Sequence, residues 1–270
     1  ALPLASTDMP VARPIIQPPV PQLPCAPLVS VVIPTKIRID LLERCLAGLT
    51  ERTGYSALEV VIVNGCSDNA RFEEVIAQAS TKLRLRRVDD FGSFNFSRLI
   101  NLGVRNSEGE LVLLLNDDVE AIERGWLHRM VESATGQGVG CVGARLLYPD
   151  RTIQHAGMTL GVSGVCGHLW KGLSTSEAAL IPQVVLPSQR MAVTGACLAV
   201  RRELFERVGG LDETNFPIAF NDVDFCLRVR ALGYRTIYRG DAALAARPCV
   251  AIVGARNASA AAVKIGRASC

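Results

Sequence analysis

Apolar and polar positions along this chain fall into blocks whose period switches between that of a strand and that of a helix. Leu28–Ile33 is a β-branched run stopped by Pro34, the pattern of a buried strand. Leu41, Leu42, Cys45, Leu46 and Leu49 then recur at helical spacing, with Asp40 as the expected opening residue and Glu43 as its capping-box partner. Leu58–Val63 predicts a second strand, and Phe72, Val75, Ile76 and Ala79 a second helix. Leu83–Val88 is a weaker third strand, followed by a helix marked by Phe96, Leu99 and Ile100. Leu111–Leu115 is strongly apolar, and Trp126, Leu127, Met130, Val131 and Ala134 mark the helix after it. Strand–helix alternation of this kind predicts an α/β fold: a mainly parallel, Rossmann-like sheet with helices on both faces. Ligands of such sheets bind beyond the carboxyl ends of the strands, so the residues that follow each apolar run carry the information.

The pattern is less regular from Val139 to Val200, where mixed strands and loops are expected. Two more helices are predicted, Arg201–Val208 before Gly209-Gly210 and Asp222–Leu232 before Gly233. Residues 1–27 hold eight of the fourteen prolines and read as an extended linker to something upstream. Residues 240–270, rich in Ala, Gly and Arg, show no clear period, so the expected folded unit is 28–239 followed by an atypical tail.

Composition narrows the class. With 49% hydrophobic and 20% charged residues the chain is globular. A formal charge of only +3 gives no basic surface for nucleic acid. Nine cysteines, odd in number and without a Cys-x-x-Cys pair, argue for buried free thiols in a reducing cytosol rather than a disulfide framework or a zinc site. No apolar run reaches the roughly 18–20 residues needed to span a bilayer.

Three segments could carry chemistry. The apolar strand Leu111–Leu115 runs straight into Asn116, Asp117 and Asp118, which places carboxylates at the ligand crevice. Mg2+ and Mn2+ take such hard oxygen ligands, using one or two carboxylates plus phosphate oxygens; a polar turn is the plainer alternative. In Phe220-Asn-Asp-Val-Asp224, Asn221 or Asp222 is placed to cap a helix, and a carboxylate there would be fixed by backbone N–H groups, as a general base must be. A plain N-cap is the commoner use of Asp at such a place. The small polar loop Asn64-Gly-Cys-Ser-Asp68 follows the second strand and could meet a base or ribose, or simply turn the chain. Gly138-Val-Gly-Cys-Val-Gly143 matches the dinucleotide fingerprint, but its glycines follow a helix and merge into a strand-like run, the reverse of what that motif needs.

Together with Val29-Ser-Val-Val-Ile-Pro-Thr35, Phe94-Asn-Phe-Ser97, Asn101-Leu-Gly103, Tyr148-Pro-Asp150, Ile153-Gln-His-Ala-Gly157, Thr194-Gly-Ala-Cys197, Val208-Gly-Gly-Leu-Asp212 and Gly233-Tyr234, these segments resemble family 2 of the glycosyltransferases. The nearest branch is that of bacterial rhamnosyl and cell-surface polysaccharide transferases, and the resemblance covers roughly residues 28–238. It implies a GT-A fold and an inverting transfer of a sugar from a nucleotide-diphosphate sugar to a hydroxyl of a glycan or lipid-linked acceptor. It implies Mn2+ or Mg2+ at Asp118, where the family has the last residue of its Asp-x-Asp motif. Asp222, at the second position of the family's Glu-Asp motif, would be the general base. Thr35, Asn64, Ser67, Asn95, Asn116 and Asp117 would line the nucleotide, and Thr194, Gly195, Asn221 and Asp224 the acceptor side. The family context further implies a cytoplasmic domain at the inner face of a bacterial plasma membrane, peripherally associated and part of a larger multidomain protein.

Two departures stand out. The family has Asp where this chain has Asn64, and restoring Asp there is expected to keep or improve nucleotide affinity. The family also has a His-rich segment shortly after the strand equivalent to Thr236–Tyr238, whereas no histidine follows His168 here. These departures favour a competing expectation, a degenerate domain that binds nucleotide or glycan without turnover; retention of Asp118 and Asp222 argues for the enzyme. A carboxylate-pair glycosidase fits least, because its chemistry does not call for nucleotide-binding architecture.

Overall fold

A computed structural model describes residues 26–36, 38–65, 70–161 and 165–246. In chain order the first half runs β1 (Val29–Thr35), α1 (Ile39–Glu51), β2 (Leu58–Asn64), α2 (Ala70–Ser80), β3 (Arg84–Asp89), α3 (Phe96–Arg105), β4 (Leu111–Leu115), β5 (Val119–Ala121) and α4 (Trp126–Ala134). The second half continues with β6 (Val139–Leu147), β7 (Ile153–His155), β8 (Met158–Leu160), β9 (Cys166–His168), α5 (Thr175–Ala178), α6 (Pro182–Val185), β10 (Ser188–Arg190), β11 (Cys197–Arg201), α7 (Arg202–Arg207), α8 (Asn221–Ala231) and β12 (Arg235–Ala246).

The main sheet has the order β10-β12-β6-β11-β4-β1-β2-β3, with β5 on β12 and β7 on β6. From β4 to β3 every pairing is parallel, as the strand–helix alternation predicts. Beyond β4 the sheet is mixed, because β11 enters antiparallel between β4 and β6. Strands β1, β2 and β4 are buried along their whole length. Their alternate residues feed two cores. Val31, Ile33, Leu113 and Leu115 join the apolar stripes of α1, α2 and α4 on one face, while Val32 and Leu114 join α3, α7 and α8 on the other.

The apolar positions expected for α1 are buried, but its N-terminus differs from expectation. The helix starts at Ile39 behind Arg38, with no side-chain cap. That start puts Asp40 inside the first turn, where it pairs with Arg38, and Glu43 reaches across to Arg71 on α2. The carboxylates bind guanidinium groups in place of a capping box.

Two glycines of the Gly138–Gly143 run serve packing, while Gly138 takes a left-handed φ of 70°. A Cβ on Gly140 would lie 2.3 Å from Val229 of α8, and one on Gly143 would lie 2.4 Å from Val193. The strand expected to end near Tyr238 continues to Ala246, past the boundary at 239. It stays parallel to β6 through a register shift between Arg239 and Ala243, then pairs antiparallel with β5. The segment 1–25 and the tail beyond Ala246 lie outside the described residues.

The two edges differ. On β3 the exposed Arg84 and Arg86 pair with Glu108, and Arg87 pairs with Asp89 and Glu73. This charge protects an edge from strand addition. The other edge is shared end to end by β10 and β5, three residues each. Among the described residues no helix is long and apolar enough to cross a membrane.

Helix α3 approaches β1 and β2 through Gly103, where a Cβ would lie 2.3 Å from Val32 Cγ1 and 2.8 Å from Val63 Cγ2. Both are core atoms of strands that cannot give way. Gly103→Ala is therefore expected to lower unfolding free energy by about 1–3 kcal/mol despite Ala's better helix propensity. Urea titration of both forms measures it, and an unchanged or raised midpoint would show that the helix can lift at no cost.

Candidate active site

Parallel register aligns the strand ends into one row of polar residues. Pairing of Val32 with Leu114 brings Thr35, at the end of β1, beside the turn after β4, and Thr35 Oγ1 donates to Asp117 Oδ2 at 2.8 Å. Pairing of Thr35 with Asn64, and of Asn64 with Asp89, extends the row across β2 and β3. Asn64 Nδ2 donates to Asp89 Oδ1 at 2.7 Å, and Arg87 Nε donates to the same oxygen at 2.6 Å. Burial works against the Asp89 carboxylate, yet the Asn64 amide and the Arg87 guanidinium prevail and hold it below its ordinary range.

Asn116, Asp117 and Asp118 are all buried in the turn that follows β4. Burial pushes the Asp117 carboxyl up from 3.8 to about 6, against the pull of the Thr35 hydrogen bond. Beneath them the Cys45 thiol donates to the Asn116 carbonyl at 3.8 Å.

The second half of the chain closes on this row through the segment Thr194-Gly195-Ala196, which leads into β11. Because β11 is antiparallel to β4, its start lies at the end of β4, and Asn116 N–H donates to the Ala196 carbonyl at 3.0 Å. One residue earlier, Gly195 N–H donates to Asp222 Oδ2 at 2.9 Å. Asp222 Oδ1 accepts from Val223 N–H at 2.8 Å. The Asp222 carboxylate is thus held by two main-chain donors, one per oxygen. Neither Asn221 nor Asp222 caps α8, however. The cap position belongs to Phe220, in a left-handed conformation without a side-chain bond, and Asp222 lies in the first turn. Burial pushes the half-buried Cys166 thiol on β9 to about 12, with the Asp222 carboxylate adding to the shift.

Among the residues expected at the site, Thr35, Asn64, Asn116, Asp117, Asp118, Thr194, Gly195 and Asp222 are brought together. Ser67 lies outside the described residues. Asn95 is the N-cap of α3: its oxygen accepts from Arg98 N–H at 2.9 Å and its amide donates to the Glu213 carbonyl at 2.9 Å. Asn221 is buried and bonds the Ile218 carbonyl at 3.1 Å. Asp224, two residues beyond Asp222 and therefore on another face of the helix, binds Arg228, which also clasps the carbonyls of Val208 and Gly210. The side chains of Asn95, Asn221 and Asp224 are committed to holding the fold. Asp89 was not singled out from the sequence, although Asp89-Asp90 follows its strand much as Asp117-Asp118 follows β4.

The turn fits a divalent cation. Its side chains offer hard oxygens, and Asn116 Oδ1 is buried with no hydrogen-bond partner among the described residues. Among those residues no group of three His, Cys, Asp or Glu side chains could cage a metal. A cation at Asn116–Asp118 would therefore complete its shell with oxygens from outside the chain, from water or a bound phosphate.

The row of polar strand ends on a sheet with β11 inserted antiparallel is the GT-A arrangement. The profile of the family described as glycosyl transferase family 2 matches residues 30–209, and the chain belongs to that family. It is 42% identical over 213 residues to the uncharacterized protein y4gI of Sinorhizobium fredii, covering 78% of this chain and 23% of that protein. It is 35% identical over 214 residues to the O-antigen biosynthesis protein RfbC of Myxococcus xanthus, covering 78% of this chain and 16% of that protein. The chain thus spans less than a quarter of the length of either relative. Among solved structures, a mannosyltransferase of Pyrobaculum calidifontis in complex with GDP-Man and Mn2+ superposes with a TM-score of 0.61 at 20% identity, over 82% of this chain and 57% of that one. GalNAc-T7 with UDP, GalNAc and Mn2+ gives a TM-score of 0.67 at 15% identity, over 84% of this chain and 45% of that one.

Two outcomes follow from this geometry. Asp117 ionises near 3.8 when unfolded and near 6 when folded. Between those values the folded protein holds a proton that the unfolded chain has lost, so its contribution to stability falls as pH rises through that window. In metal-free protein with chelator, Asp117→Asn should therefore raise the thermal midpoint at neutral pH, by up to about 3 kcal/mol in stability, and change little below about pH 4. Equal midpoints at neutral pH would show that the carboxylate is not destabilised by burial. The second outcome reverses the expectation for Asn64. Asn64→Asp sets a carboxylate against Asp89 Oδ1 in place of a donor, so it should weaken both stability and nucleotide affinity, and adding Asp89→Asn should restore them. Calorimetry of the single and double variants reads the coupling, and an unimpaired single variant would refute it.

Proposed function

We propose that this domain is an inverting glycosyltransferase that moves a sugar from a nucleotide-diphosphate sugar to a hydroxyl of a glycan or lipid-linked acceptor. The observation that carries this reading is the Gly195–Ala196 link, which fixes Asp222 one residue from the contact that holds the carboxylate turn. Donor residues from the first half of the chain and a candidate base from the second are thereby locked to one short segment. Family membership, the O-antigen biosynthesis relative and the nucleotide-bound GT-A neighbours support the substrate class.

Asp118, with Asn116 and Asp117 beside it, would hold the divalent cation, Mn2+ or Mg2+. When bound, such an ion offsets the charge that grows on the departing nucleoside diphosphate. Thr35 and the Asn64–Asp89 pair lie where the nucleoside would extend along the strand ends. Asp222 takes the proton of the acceptor hydroxyl as that oxygen attacks the anomeric carbon from the side opposite the diphosphate. The glycosidic bond forms while the bond to the diphosphate breaks, and the diphosphate leaves with the electron pair. A single displacement inverts the configuration. Each Asp222 oxygen accepts one main-chain N–H and keeps a lone pair for the proton, so the carboxylate is oriented without being neutralised by a cation. By the same reading the domain works in the cytoplasm, at the inner face of a bacterial plasma membrane, as part of a longer multidomain protein.

Asp222→Asn tests the assignment. Asn preserves size but cannot accept the proton, so the transfer rate should fall on the order of 10²–10⁴-fold while donor affinity stays within a few-fold of the parent. Asp118→Ala should do the converse and lose metal-dependent binding of a nucleoside diphosphate. Transfer by Asp222→Asn at the parental rate removes it from the mechanism. Metal-dependent nucleotide binding by a parent chain that neither transfers nor hydrolyses the sugar would favour binding without turnover.

A further inference from the structure

Behind the segment that carries Gly195 lies a pair of histidines that the proposed reaction does not use. His155 is fully buried at the end of β7, and His168 is partly exposed at the end of β9. Their Nδ1 atoms are 2.9 Å apart and their rings are edge-to-face. On its other side His155 Nε2 faces two main-chain donors, Gly157 N–H at 3.3 Å and Thr194 N–H at 3.4 Å.

These contacts fix both tautomers. A ring nitrogen that accepts from main-chain N–H carries no proton, and a main-chain N–H cannot reverse its role. Neutral His155 therefore carries its proton on Nδ1 and donates it to His168 Nδ1. His168 Nδ1 is then bare, and neutral His168 carries its proton on Nε2. The surroundings favour the neutral form: burial, His168 on β9 and the cationic Arg190 on β10 hold His155 well below the ordinary histidine range. Tyr238 on β12 packs its ring 6.3 Å from that of His155, and Arg190 lies over the Tyr238 ring.

The chain of contacts runs from the surface to the base: His168, His155, the Thr194 N–H, the adjoining Gly195 N–H and Asp222 Oδ2. We infer that His155 and His168 form a positioning pair, which through a fixed tautomer relay sets the Thr194–Ala196 segment and with it the aim of Asp222 at the acceptor hydroxyl. The inference rests on the reading of Asp222 as general base. Its structural half can be measured without turnover.

Nitrogen–proton correlation spectra of histidine-labelled protein, assigned by single substitution among the three histidines, should show His155 protonated on Nδ1 alone and His168 on Nε2 alone at neutral pH. His155 protonated on Nε2, or a cationic pair, overturns the relay. His168→Leu removes the acceptor for the His155 proton, whereas His168→Asn sets an amide oxygen where Nδ1 stood. In His168→Leu the Gly195 amide should exchange with solvent faster, while amides of β4 keep parental rates. The transfer rate should drop between about 10-fold and 100-fold, as expected for a misaimed group, with donor affinity unchanged, and His168→Asn should recover most of both effects. Parental Gly195 exchange in His168→Leu overturns the proposal, as does equal impairment in the two variants. If His168→Leu does not fold, the tautomers of the parent and the Gly195 exchange of His168→Asn decide it. A parent without turnover would count against the transferase reading, and the tautomers and Gly195 exchange would still decide this one.

Discussion

The arrangement of the site depends on one short stretch of backbone in which adjacent residues face opposite ways. The Ala196 carbonyl takes the N–H of Asn116, and the Gly195 N–H goes to Asp222. This is possible because β11 runs antiparallel to β4, so that the start of one lies against the end of the other. A parallel strand in that place would bring its own end to the crevice and send Thr194–Ala196 to the far side of the sheet. The single reversal of direction in the centre of the sheet is what lets residues from the two halves of the chain share one crevice.

Around that stretch the polar groups are sorted by the partner each finds. Asp224 and Asp222 are two residues apart in one helical turn, yet one is bound by the Arg228 guanidinium and the other by main-chain N–H groups. The first is locked into a tie between α8 and the Val208–Gly210 turn. The second accepts one main-chain N–H on each oxygen, which leaves lone pairs in part unused. Asp117 shows a third condition, a carboxylate kept under cover with the Thr35 hydroxyl donating to it. Destabilised groups of this kind persist where a ligand later satisfies them.

Much of the frame was legible in the sequence because strands β1, β2 and β4 are buried on both faces and read as unbroken apolar runs, and because α1 to α4 bury single stripes. The Gly138–Gly143 match to a dinucleotide fingerprint could be set aside from its flanking periods, and in the fold Gly143 and Gly140 admit Val193 and Val229. Local signals misled where a different partner or backbone conformation took the expected role. Asp40 and Glu43 had the spacing of a capping box, but Arg38 and Arg71 bind them. Asn221 and Asp222 had the look of N-caps, but Phe220 holds that position. Asn64, read alone, lacked a charge; next to Asp89 it is the donor of a pair. The mixed half of the sheet was illegible for the same reason, since the order of β6, β11 and β12 is set by pairings between distant residues that leave no local period. The continuation of β12 to Ala246 likewise rests on pairing with β6 and β5.

The two edges of the sheet set how such a unit can live within a longer chain. Along β3, guanidinium–carboxylate pairs stand where an incoming strand would have to lie, and the opposite rim is divided between two stubs of three residues. Among the described residues neither rim offers a long run of open backbone free of charge to recruit a neighbour. A neighbour meeting this domain at its rims would have to abut through helices and loops, so the sheet's hydrogen-bond network would end at the domain's own border.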